Sequence, residues 1–263
     1  MNITAIIQAR MGSKRLPKKT LMEISGKPML GHVVERLRCS HSITGIVVAT
    51  SVNHADTPIV HYARQERVTC FAGSEDDVLS RFVGAAKSVQ TDLIVRITGD
   101  CPLIDPGVLD EMIAYHLAQG VEYTGNLARR TLPRGLDAEV FSVDALFKAD
   151  RLGLEHHHRE HVTPFIYEHP ELFTVASFEV TGALRRPDLR LCVDTQEDMD
   201  LIQRIYQEFY RAGQIVDMRA VIAWLDANPE WKYFNQAAEL EHIKRNQLDG
   251  VHQLFLEPVT VPG

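Results

Sequence analysis

Apolar residues fall into two rhythms along this chain. Segments 3–8, 45–50 and 93–97 are short, rich in Ile and Val, and apolar on both faces. Strands buried from both sides in a parallel sheet read this way. Between them the spacing is helical. Residues 28–39 set Met29, Leu30, Val33, Val34 and Leu37 along one side, and 56–66 and 75–89 behave alike. Asp76 and Asp77 fall in the first turn of the last segment, where acids complement the helix dipole. Strands alternating with helices predict an α/β fold, a parallel sheet with helices on both faces.

The middle of the chain is less regular. Segments 121–126 and 138–142 read as extended, 143–151 and 156–168 as helical. Two further strands are expected at 172–180 and 189–193, then a helix over 195–211. The character changes near Gly213. Residues 218–228 form a short amphipathic helix, and the tail after Pro229 is polar. The expected organisation is a main domain over 1–212 and a helical extension over 213–263. The apolar residues from Met218 to Trp224 and from Trp231 to Phe234 suit packing on that domain or a homodimer contact.

Composition narrows the class. With 45% hydrophobic and 24% charged residues, 263 residues suit an ordinary globular enzyme with a self-sufficient core. Cys39, Cys70, Cys101 and Cys192 are far apart, with no CxxC pair, and read as reduced thiols of a cytoplasmic protein. The apolar start MNITAIIQA is too short for a signal peptide, and no run approaches membrane-spanning length. A net charge of -7 argues against nucleic-acid binding. Yet Arg10, Lys14, Arg15, Lys18 and Lys19 crowd one stretch that holds no acid. A cationic loop on an acidic protein points to a small anion.

Open α/β sheets bind ligands beyond the carboxyl ends of their strands. The loops after Gln8, Thr50, Ile97 and Val193 therefore share one rim. The first carries Ala9 to Lys19, with cations for phosphate oxygens and Gly12 for close backbone approach. It is not a Walker A loop, because Pro17 stands where that pattern needs its second glycine. A solvated basic loop is the plainer alternative. The second loop is Thr98-Gly99-Asp100-Cys101-Pro102. An acid at that strand end can hold Mg²⁺ on a phosphate, or it can simply cap a turn. Asp105-Pro106 reads as an N-cap and first helical residue. In the third loop, Thr195 and Asp198 fit a capping box loosely, which leaves Asp194 free to share a metal with Asp100.

The runs IIQARMGSKRLPKKTLMEISGKPMLGHVVERL, RITGDCPLID and CVDTQEDMDL resemble the cytidylyltransferases that activate acidic sugars, among them the 3-deoxy-manno-octulosonate and acylneuraminate enzymes. Ile-Gln-Ala-Arg, where many relatives have Ile-Pro-Ala-Arg, is similar to the spore-coat polysaccharide group. The resemblance covers residues 1 to about 210. It implies a Rossmann-like, GT-A type fold and transfer of CMP from CTP to an anionic sugar-type acceptor, releasing pyrophosphate, in surface polysaccharide or glycan precursor synthesis. It implies Arg10, Arg15, Lys19 and Asp100 as catalytic residues, Asp100 and Asp194 as Mg²⁺ ligands, and a homodimer. It places Ala9, Arg10, Gly12, Ser13, Lys19, Thr98 and Gly99 on the nucleotide. Ser74 and Asp76 fall where relatives have a loop near the nucleoside, although the sugar-acid enzymes carry a different sequence there.

For the acceptor the candidates are Arg134, Asp137 and Glu139. Arg134 can pair with an acceptor carboxylate or phosphate, or sit in a surface turn. Asp137 and Glu139 share a face if the segment is a strand. In the run His156–His161, His157 and His161 share a helix face at i, i+4, as zinc ligands do, but the sequence offers no third ligand. Arg159 and His161 facing the acceptor is the reading favoured over zinc, and a plain exposed helix is the third. Two other functions remain open at this level, a glycosyltransferase using a nucleotide sugar and a non-catalytic nucleotide-binding protein.

Overall fold

The computed structural model describes residues 1–126 and 129–248. In chain order the strands and helices are β1 (Ile3–Gln8), β2 (Glu23–Ile24), β3 (Lys27–Pro28), α1 (Met29–Leu37), β4 (Gly45–Ser51), α2 (Thr57–Gln65), β5 (Thr69–Gly73), α3 (Val78–Lys87), β6 (Leu93–Thr98) and α4 (Pro106–Gln119). There follow β7 (Tyr123–Gly125), β8 (Glu139–Ser142), α5 (Val143–Leu152), α6 (His156–His161), α7 (Pro164–Glu168), β9 (Val175–Ser177), α8 (Gln196–Phe209), α9 (Met218–Ala227), α10 (Pro229–Lys232) and α11 (Gln236–Leu248).

Seven strands form one sheet in the order β5-β4-β1-β6-β8-β7-β9. Every pairing is parallel except the two that β8 makes, with β6 and β7. The alternation of β1 shows why both faces are dry. Ile3, Ala5 and Ile7 enter one core with α1, α2, α4, α8 and α9, while Ile6 enters a second with α3, α5 and α7. This is the mostly parallel, doubly covered sheet that the periodicity predicts. Among the described residues, no helix is long and apolar enough to cross a membrane.

Departures from the sequence reading have local causes. β5 goes unnoticed because it is a half-exposed edge strand whose run Thr-Cys-Phe-Ala-Gly lacks a β-branched stretch. The expected helix over 156–168 is two helices. Val162 takes a positive φ of 76° and Pro164 starts the second, since proline cannot continue the first. The expected strand at 189–193 is only a single bridge, Arg190 to Arg134, and that at 172–180 shrinks to β9. Asp105 does cap α4, accepting the Val108 N–H at 3.0 Å. The capping box of α8 closes despite the short Asp: Thr195 Oγ1 accepts the Asp198 N–H and Asp198 accepts the Thr195 N–H.

Beyond residue 212, α9 buries Val221, Ile222 and Leu225 in the first core. Trp224 and Trp231 stack at 6.4 Å, with Phe234 5.1 Å further along and half exposed. The last part of the expected extension, 249–263, lies outside the described residues.

One backbone contact fixes how the loop after β7 meets the segment before α8. The Arg134 N–H donates to Leu189 and the Leu191 N–H donates to Arg134. Gly135, at φ 106°, lies so close that a Cβ there would stand 2.5 Å from the Leu191 carbonyl carbon. Both conformation and contact exclude a side chain. Gly135→Ala should therefore cost about 3 kcal/mol of unfolding free energy, read as a lowered urea midpoint at unchanged slope.

Candidate active site

The loop after β1 is built from the backbone outward. The Ala9 N–H donates to Ala49 at 3.1 Å, so the chain leaves the sheet beside β4. The Met11 N–H donates to Asp56 Oδ1 at 2.7 Å, and Asp56 also accepts from Ser51. Thr20 Oγ1 donates to the Arg10 carbonyl at 2.7 Å, drawing the far end back to the start. Leu16 is buried and pins the middle. Lys18 takes a left-handed turn, φ 64°, and a single turn of 3₁₀ helix, Lys19–Leu21, follows. That turn aims Lys19 under the strand ends rather than into solvent.

Lys19 is buried, and its ammonium spends all three protons there. It donates to Asp100 Oδ2 at 2.7 Å, to Asp194 Oδ1 at 2.9 Å and to the Val193 carbonyl at 2.6 Å. Burial works against its charge, yet Asp100 and Asp194 outweigh burial and hold its pKa above the ordinary lysine value. Burial likewise opposes the Asp194 carboxylate, and Lys19, Arg15 and Arg190 prevail and hold its pKa well below the carboxylate range. Arg15 Nη2 lies 3.1 Å from Asp194. Its Nη1 is buried with no hydrogen-bond partner among the described residues, a donor suited to an incoming oxyanion.

The cleft above this floor, about 330 Å³, is lined by Ala9, Arg10, Ser13, Arg15 and Lys19 from the first loop. Thr98, Gly99 and Asp100 close it from β6, and Asp194 from the loop before α8. The Gly99 N–H donates to the Gln8 carbonyl, and the Val193 N–H to the Asp100 carbonyl, so the three loops are stitched together. Gly12 lines a neighbouring hollow instead. Ser74 and Asp76 are exposed on the turn after β5, whose Glu75 reaches toward Gly12 across the rim. Ser74 Oγ accepts the Asp77 N–H at 3.0 Å.

The acceptor candidates are scattered, and none lines the cleft. Glu139 is buried between Arg96, Tyr123 and Thr163. Asp137 precedes β8, so it shares no strand face with Glu139, and it pairs with Arg130 at 2.6 Å. Arg134 grips Glu239 of α11. Arg159 binds Asp77 and Asp150, which keeps it from the cleft, and His161 is exposed at the end of α6. The histidine run also pairs differently from its i, i+4 spacing. His157 and His158 both meet Glu168, each with Nε2 at 3.0 Å from the same carboxylate oxygen.

Sequence reasoning missed Asp56 and Arg190. Arg190 is buried, with Nε on Asp198, Nη2 on Asp194 and Asp198, and Nη1 on Glu239. The available signal was a lone arginine inside the apolar run Leu189–Val193.

Two carboxylates that meet at one cation, all oxygen donors, fit a hard divalent ion that takes its remaining ligands from phosphate and water. Asp100 and Asp194 fit that role, and Lys19 now holds the point where they meet. Cations on the walls and two acids at the floor suit a polyphosphate carrying a metal.

Known proteins resemble this chain along most of its length. A family model described as "Cytidylyltransferase" matches residues 4–219. The spore coat polysaccharide biosynthesis protein SpsF of Bacillus subtilis is 38% identical over 87% of this chain and 96% of its own. A 3-deoxy-manno-octulosonate cytidylyltransferase of Geobacter metallireducens is 35% identical over 49% of this chain and 50% of its own. Among solved structures, a cytidylyltransferase from Leptospira borgpetersenii serovar Hardjo-bovis superposes with a TM-score of 0.81 at 33% identity, covering 88% of this chain and 97% of that one.

Lys19 makes the floor testable without any ligand. Lys19→Met leaves Asp100 and Asp194 facing each other, at a cost of about 2 kcal/mol for a partly exposed cluster. Because the folded-state pKa of Asp194 is depressed, its stabilisation is complete above the unfolded value of about 3.9 and fades as pH falls toward the folded value. Urea unfolding at pH 7 and pH 3 should show a smaller gap between wild type and Lys19→Met at pH 3.

Proposed function

The chain belongs to the cytidylyltransferase family and is a CTP-dependent nucleotidyltransferase, and on that premise we propose that it transfers CMP from CTP to a sugar-type acceptor carrying an anionic group. The observation that carries this reading is the convergence of Asp100 and Asp194 on one cation beneath the cationic loop Arg10–Lys19.

The acceptor hydroxyl attacks the α-phosphorus of CTP. A new oxygen–phosphorus bond forms, the bond to the bridging oxygen breaks, and pyrophosphate leaves with the electron pair while the hydroxyl proton passes to solvent. Such transfers depend on alignment and charge neutralisation more than on covalent help. Arg10, Arg15 and Lys19 take up charge building on the pyrophosphate, with Arg15 Nη1 as a ready donor. Ala9, Ser13, Thr98 and Gly99, which line the cleft, position the nucleotide, and the turn bearing Ser74 and Asp76 faces the nucleoside. Asp100 and Asp194 would hold Mg²⁺, which would supply charge neutralisation for the phosphates there.

Several supports extend the reading. Oxygen-only donors favour magnesium over a softer ion. Four free thiols suit the cytoplasm. Exposed Tyr233 and Phe234 suit a homodimer built partly by the extension over 213–263. Similarity to SpsF and to the octulosonate enzyme supports an acidic sugar as acceptor, in synthesis of a surface polysaccharide or a related glycan.

Pyrophosphate release, assayed with each of the four ribonucleoside triphosphates and a panel of acidic sugars, tests this function. CTP alone should react, with one acceptor preferred. Asp100→Asn and Asp194→Asn should each lower kcat by about a hundredfold or more, the scale of losing one fixed transition-state charge contact.

A further inference from the structure

α11 lies past residue 219, where the family match ends, yet it reaches the floor of the site. Its Glu239 lies across two arginines. Arg134 donates from Nε to Oε1 and Oε2 at 3.1 and 2.9 Å, and from Nη2 to Oε1 at 3.0 Å. Arg190 donates from Nη1 to Glu239 Oε2 at 3.1 Å, while its Nη2 donates to Asp194 at 2.8 Å. One guanidinium thus carries both Asp194 and the Glu239 carboxylate. A carboxylate in this place shares Arg190 with Asp194, which in turn accepts from Lys19.

Charge, not apolar burial, holds the helix there. Among its described side chains only Ala238 is buried, and Leu240 is exposed. His242, one turn on, is pushed down to about 4 by burial and by the same two arginines, so it stays neutral while Glu239 brings this helix's negative charge to them, beside Asp194 and Asp198 on Arg190. Exchanging Glu239 for another carboxylate therefore leaves the local charge balance unchanged and forfeits little packing. The two-pronged grip of Arg134 is the geometry guanidinium offers any carboxylate.

We propose that Arg134 and Arg190 form the subsite for the acceptor's carboxylate, and that Glu239 of α11 occupies this subsite until the acceptor displaces it. The inference rests on the reading of an anionic acceptor and adds where its charge is held. It makes α11 a displaceable plug that sets acceptor affinity without touching CTP.

The test uses the full chain with CTP and Mg²⁺, and 3-deoxy-manno-octulosonate and N-acetylneuraminate as probes, each with its neutral methyl ester as control. Removing the internal competitor by Glu239→Gln should lower the acceptor KM about tenfold, as expected when the binding-competent fraction rises, while the KM for CTP holds. Arg134→Gln should raise the acceptor KM. In wild type, a sugar acid should speed amide hydrogen exchange in α11, and its methyl ester should not. A purely structural Glu239 predicts an unchanged or higher acceptor KM in Glu239→Gln, and exchange in α11 that ignores both acids; either result overturns the proposal. Exchange that responds without pyrophosphate release keeps the subsite and counts against the transfer reaction. Pyrophosphate release without either effect keeps the reaction and removes the subsite.

Discussion

The buried ammonium of Lys19 holds three loops to one another. It joins the loop after β1 to Asp100 at the end of β6 and to Asp194 ahead of α8. Burying a lysine is costly unless carboxylates compensate, and burying two facing carboxylates is costly unless a cation does. Each half of the cluster is tolerable only because the other is present. That mutual need brings residues 19, 100 and 194 together, and on the proposed function a phosphate-bound divalent ion would meet the same need at the same carboxylates.

Behind this floor the support is ionic as well. Arg190 fastens Asp194 to Asp198, which in turn closes the capping box of α8 and accepts from Asn235. The position of Asp194 is thereby tied to a helix of fourteen residues rather than to a free loop. Asp56 does the same for the first loop, fixing Met11 to the end of β4. A site held by helix caps and strand ends keeps its charges in place before any ligand arrives, which is what electrostatic catalysis requires.

Much of this was legible in the chain because strong local signals agree with the fold. Ile3–Gln8 and Leu93–Thr98 are apolar on both sides, and strand ends in such a sheet converge. Hence the sequence alone groups Arg15, Lys19, Asp100 and Asp194. What stayed hidden depends on partners distant in sequence. Nothing local to Glu139 reveals that Arg96, 43 residues earlier, takes its charge in the sheet. Arg159 shows no local sign that Asp77 holds it away from the cleft. Glu239 reads as a surface helix residue until Arg134, 105 residues earlier, is seen beside it. β5 was missed for a different reason, since edge strands carry weak periodicity.

On the proposed function, this cleft moves the α-phosphoryl group of CTP onto a hydroxyl. Phosphorus NMR of a reaction holding CTP, Mg²⁺ and the acidic sugars follows that atom directly. A new CMP phosphodiester resonance should grow in step with pyrophosphate, and both should grow about a hundredfold or more slowly with Asp100→Asn. Loss of CTP to CDP and inorganic phosphate, or a CTP spectrum unchanged by the enzyme with every acceptor, would contradict it.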